Sequence, residues 1–113
     1  MSKFDELLEV YKSEFTKTLT EPLDEKFLEK VTKGLGPSIY NVDASKVSSS
    51  DKKELETVKK NFLIKKLGLE DSPALDEAID EVVEKLGSSN RNKYRAIVYY
   101  LLAKKFNKEE IYN

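Results

Sequence analysis

Ala96-Ile97-Val98-Tyr99-Tyr100-Leu101-Leu102-Ala103, preceded by Tyr94 and followed by Lys104, Lys105 and Phe106, is the stretch that decides the fold. An almost unbroken apolar run has no polar face to give to water, so more than one of its sides must be covered. It is far shorter than the ~20 residues that cross a bilayer. The reading is a helix from about Asn90 to Phe106 at the centre of a helical bundle. Asn107, with Glu110 three residues on, is placed to cap a last turn that carries Ile111 and Tyr112 back onto the body.

Immediately before the run stand Ser88, Ser89, Asn90, Arg91, Asn92, Lys93, Tyr94 and Arg95. If the helix opens here, it opens with cations, whereas a helix N-terminus carries partial positive charge and favours acids. The preceding helix shows the opposite excess. Ser72 as cap, Pro73 at the first helical position, Leu75, Ala78, Ile79, Val82, Val83 and Leu86 as an apolar stripe, and Gly87 as the stop define it. Its charged residues are acidic from Glu70 to Glu84, and those from Lys85 to Lys108 are basic. The sign changes at a hairpin. One expectation is therefore a clamp in which Glu81 or Glu84 sits near Arg91 or Arg95, as surface charge runs are usually solvated or internally paired. The other is that Ser88, Ser89, Arg91, Lys93 and Arg95 bind an anion, a nucleotide or a nucleic acid, with Tyr94 available to stack on a base. No glycine-rich phosphate loop precedes the helix.

Farther out, Phe4, Leu7, Leu8, Tyr11 and Phe15 share one helical face, with Ser2 as cap and Asp5 and Glu6 in the first turn. That helix ends before Pro22. A second runs from about Asp24 to Lys33, burying Phe27, Leu28 and Val31, with Gly34 placed to end it. Residues 34–50 read as one long loop with a short turn of helix around Ala44 to Val47. Its Leu35, Ile39, Tyr40 and Val47 are too apolar for a free linker, so the loop packs down and the chain reads as a single helical domain, 1–113. A third helix starts at Ser50 or Asp51, where Asp51 and Glu54 fit a capping box. Leu55, Val58 and Phe62 line its face, Lys59, Lys60, Lys65 and Lys66 suit its C-terminal half, and Gly68 closes it. The β-branched residues fall at helical spacing. The expected fold is all-α, a compact orthogonal bundle of about five helices with one long packed loop.

The 113 residues contain no Cys and no His, which removes disulfides, thiol nucleophiles, imidazole acid/base chemistry and the usual zinc sites. No metal or cofactor is expected. A net charge of −1, from 20 basic and 21 acidic residues, gives no overall pull toward nucleic acid or anionic lipid. The opening Met1-Ser2-Lys3-Phe4-Asp5-Glu6 lacks the apolar stretch of a secretory signal, so the expected location is cytoplasmic, with no membrane partner. Catalysis has poor material. Ser38 has no histidine to activate it, Tyr40 reads as a core or lid aromatic, and Asp43 is the least implausible base. The leading functional expectation is a protein-interaction or regulatory module. It would meet a protein partner or form a homodimer through Tyr94, Tyr99 and Tyr100 if the central helix is not fully covered within one chain. A phosphate-bearing ligand at the basic opening is the alternative.

Three segments carry a resemblance: Val31-Thr32-Lys33-Gly34-Leu35-Gly36-Pro37-Ser38-Ile39-Tyr40-Asn41, Glu54-Leu55-Glu56-Thr57-Val58-Lys59-Lys60-Asn61-Phe62-Leu63, and Ser88-Ser89-Asn90-Arg91-Asn92-Lys93-Tyr94-Arg95. Together they resemble a family of short bacterial proteins known only as a domain of unknown function. The resemblance spans nearly the whole chain. It implies a small bacterial cytoplasmic protein and assigns no activity, substrate or catalytic residue.

Overall fold

The computed structural model describes residues 2–41, 44–48, 50–87, 89–90 and 92–112. Among them the fold is all-α, with helices α1 (Lys3–Thr18), α2 (Glu25–Leu35), α3 (Lys52–Thr57), α4 (Pro73–Leu86) and α5 (Arg95–Lys105). Helix α3 continues without a break as a π-helix over Val58–Lys66, and short 3-10 turns cover Gly36–Tyr40 and Glu109–Tyr112. All eight residues from Ala96 to Ala103 are buried, against α1, α2 and α4. The apolar faces of α5 are covered within one chain, so the condition set for a dimer contact through it is not met. Tyr99 and Tyr100 belong to the core rather than to a surface.

Helix starts largely follow local chemistry. The Ser2 hydroxyl accepts from the Asp5 amide at 3.2 Å, and the Asp24 carboxylate accepts from the Phe27 amide at 3.1 Å. Helix α2 runs past the expected stop. Gly34 lies inside it, and Gly36, at φ +65°, ends it. Gly34 serves a different need, because a Cβ there would come within 3.0 Å of the Tyr112 ring. The missing side chain admits Tyr112, which packs edge-on against Phe27 at 5.6 Å between ring centres. The last turn thus folds back as expected, but Asn107 is not its cap. It takes φ +55°, and two bonds, Asn107 amide to Lys104 carbonyl and Lys108 amide to Ala103 carbonyl, complete a Schellman motif at the end of α5.

The 34–50 segment packs down as expected through Ile39 and Val47, but differs in detail. Ile39, Ser45 and Val47 are buried while Tyr40 is exposed, and no helical turn forms at 44–47, where Lys46 instead bridges Tyr94. The π-helix is the other departure. Its hydrogen bonds reach one residue farther than those of an α-helix, as in Leu67 amide to Phe62 carbonyl at 2.9 Å. The wider turn brings Val58, Phe62, Leu63 and Leu67 all into the core, and Phe62 lies flat on Tyr99 at 3.9 Å.

Candidate functional site

The sequence-predicted basic opening of α5 is not the first turn of a helix. Tyr94, just ahead of Arg95, is extended and forms an antiparallel bridge with Lys46. The Val47 amide donates to the Lys93 carbonyl and the Arg95 amide to the Ser45 carbonyl, both at 2.8 Å. Tyr94 is the N-cap and supplies no side-chain oxygen, so the Ser45 carbonyl satisfies the first free amide of the helix. An anion at a helix N-terminus would use such an amide.

Arg95 fixes this junction. Its Nε donates to the Ala44 carbonyl at 2.8 Å, Nη1 to the Tyr99 hydroxyl at 3.2 Å, and Nη2 pairs with the Glu54 carboxylate. Burial opposes the charge on Arg95, but the Tyr99 hydroxyl and Glu54 carboxylate outweigh it and its pKa is raised. The forked guanidinium suits such a task, since it can bind several acceptors in one plane. Glu54 therefore forms no capping box. Asp51 caps α3 alone, accepting from the Lys53 amide at 2.9 Å, while Glu54 reaches across to α5.

Below Arg95 the chain is held by side-chain amides. Asn90 donates through Nδ2 to the Leu86 carbonyl at 3.0 Å and accepts through Oδ1 from the Asn92 amide at 2.8 Å. That closes α4 and turns the chain into its extended path. Lys93 is 3% exposed, its ammonium donates to the Asn90 carbonyl, and burial lowers its pKa. Lys46 lies over the Tyr94 ring at 5.4 Å and donates to Asn92 Oδ1 at 3.3 Å. On another side of Tyr94 the ring of Tyr11 packs at 4.8 Å. The Tyr11 hydroxyl is buried without a hydrogen-bond partner. Burial, with the neighbouring phenols of Tyr94 and Tyr40, pushes its pKa up to about 12.

Of the five residues expected to gather around an anion, the three that are described point to different surroundings. Ser88 and Arg91 lie outside the described residues, as does Asp43. Ser89 is exposed on a turn, Lys93 is turned inward, and Arg95 is engaged by Glu54. The expected pairing of Arg95 with Glu81 or Glu84 is corrected as well: Glu81 pairs with Lys105 and Lys85 with Glu21. Lys59 bridges Asp71 and Asp76 at 3.0 and 3.1 Å, tying the π-helix to the start of α4. Ser45, Glu54 and Tyr11 are the participants that sequence reasoning missed. A lone Arg95 between Tyr94 and an apolar run was the available signal, because a cation there needs an internal acceptor. Among the described residues no group of three or more carboxylates is arranged to hold a metal ion, and no helix is long and apolar enough to cross a membrane.

Residues 10–110 match the family described as "Protein of unknown function (DUF2853)". The chain belongs to that family. No curated protein matches the sequence.

Proposed function

We propose that this member of the family is a small protein-interaction module whose contact surface is the corner formed by Tyr40, Tyr94 and Lys46, and that its partner presents an acidic segment there. The observation carrying this reading is the exposed ring of Tyr40, 49% accessible, one of two large apolar side chains open to solvent among the described residues. The Tyr40 phenol contributes to the raised pKa of the Tyr11 hydroxyl, and Tyr11 packs on Tyr94. Exposed aromatic rings next to a cation are the usual anchors of protein contacts. Lys46 adds the sign: among the described residues it is paired with an amide and a ring but no carboxylate. Helix α5 plays a scaffolding part, holding Tyr94 in place through the Arg95 junction.

A phosphate-bearing partner is the competing reading, favoured by the same Lys46 and by the basic residue Arg91, three positions before Tyr94 in the sequence. A single nuclear magnetic resonance titration separates the two, using poly-L-glutamate and single-stranded oligouridylate at matched ionic strength. Saturable shifts at Tyr40 and Lys46 with polyglutamate, lost in Tyr40→Ala and Lys46→Ala, support the acidic-segment reading. Shifts with oligouridylate alone replace it with the phosphate reading, and shifts with neither overturn the corner as a contact surface.

A further inference from the structure

A second concave site lies on another side of α5. Between α4, α5 and the α1–α2 connection is a cleft of about 300 Å³, at the low end of volumes that hold small ligands. Its floor is apolar, Val82 and Leu101, each 5% exposed or less. Its rim carries Lys85, Lys104 and Lys105 with Glu21 and Glu81, so cations outnumber carboxylates. Two of the cations are held by those carboxylates, Lys85 by Glu21 and Lys105 by Glu81. Lys104 is less well served. Its carboxylate partners stand at 3.4 Å (Asp24) and 3.8 Å (Glu109), beyond the 2.7–2.9 Å of a good charged hydrogen bond. Its ammonium is steadied over the rings of Phe27 and Tyr100 at 5.2 and 5.6 Å.

The geometry points to a binding site for a small carboxylate with an aliphatic body, its head on Lys104 and Lys105 and its chain on Val82 and Leu101. The gate is Glu81. Its side chain is 62% exposed, and a surface ion pair of that kind costs little to open. A ligand carboxylate takes the place of the Glu81 carboxylate on Lys105 and gives Lys104 the closer acceptor it lacks.

Hexanoate is the probe, titrated into the full chain and followed by the amide resonances of Val82 and Leu101, with hexanol and hexylammonium as controls. Saturable shifts with hexanoate, absent with both controls, are expected. Lys104→Ala weakens the binding about tenfold, and Glu81→Gln, on an exposed side chain that folding does not need, tightens it by freeing Lys105. No saturable shift with hexanoate overturns the site. So does an equal response to hexanol or hexylammonium, which reduces it to an apolar spot, and so does weaker binding in Glu81→Gln.

Discussion

The two ends of α5 are closed in opposite ways. At the C-terminus the backbone closure is local: Asn107 lies in the left-handed region and the amides of Asn107 and Lys108 return to carbonyls within the last turn. At the N-terminus most of the closure is non-local, the bond from Arg95 to Tyr99 one turn on being the exception. The first amide goes to Ser45, and the first side chain, Arg95, goes to Ala44, Glu54 and Tyr99. A locally closed end holds its own hydrogen bonds and depends little on the rest of the molecule. An end closed from distant parts of the chain also fastens those parts, so α5 uses its N-terminus to anchor the 44–47 segment and the start of α3.

If that contrast is real, substitutions at the two ends differ in cost. Arg95→Ala leaves Glu54 without its partner and frees the Ala44 carbonyl, so denaturant unfolding loses about 2–3 kcal/mol. Glu54→Ala loses less, and the double variant costs about 1 kcal/mol less than the sum of the singles, because both act through one interaction. Additive costs would separate the two residues and break the junction.

Beyond that local closure the following turn seats Tyr112 over Gly34, and Gly34→Val intrudes on its ring. Overpacking of this kind costs about 2 kcal/mol in thermal or chemical unfolding, although valine is the better helix former. A neutral result would mean that Tyr112 is not seated there. Asn107→Ala strains a left-handed position and costs about 1 kcal/mol, whereas Asn107→Gly is neutral or stabilising. Equal effects of alanine and glycine would remove the Schellman closure.

The smallest effect distinguishes two buried tyrosines, Tyr100 on α5 and Tyr11 on α1. Tyr100 accepts from the Asp24 amide at 2.9 Å, so Tyr100→Phe costs about 1 kcal/mol. Tyr11 has no partner, so Tyr11→Phe leaves stability unchanged or raises it. Its titration gives a second readout. A phenol whose folded pKa is raised from 10.0 to about 12 favours folding in its neutral form, so that contribution is complete below pH 10 and is lost as pH rises toward 12. The alkaline fall in unfolding midpoint is therefore shallower in Tyr11→Phe than in the parent chain. An unchanged slope contradicts the burial of that hydroxyl.

The legible parts of this fold were those whose signals are local. Ser2, Asp24 and Pro73 mark helix starts that the chain uses, and Ala96 to Ala103 pointed to a helix covered on more than one face. Asn90 and Asn92 to Tyr94 lie outside that helix, and no sequence rule reports that Ser45 brings a carbonyl to Arg95. Glu54 was assigned to a capping box for the same reason: the spacing from Asp51 is right, but a guanidinium outcompetes a backbone amide for its carboxylate. Tyr94 and Arg95 could be singled out as notable residues. Tyr11 could not, since a tyrosine on an apolar helical face looks the same whether or not its hydroxyl finds a partner.

Amide hydrogen exchange at Val47 and Arg95 tests the junction most directly. Both donate across it, to Lys93 and to Ser45, so their protection should match that of amides in the middle of α5 and fall together in Arg95→Ala. Exchange at the rate of an open loop in the intact protein would show that the 44–47 segment is not fastened to α5, and the non-local closure of the helix would be wrong.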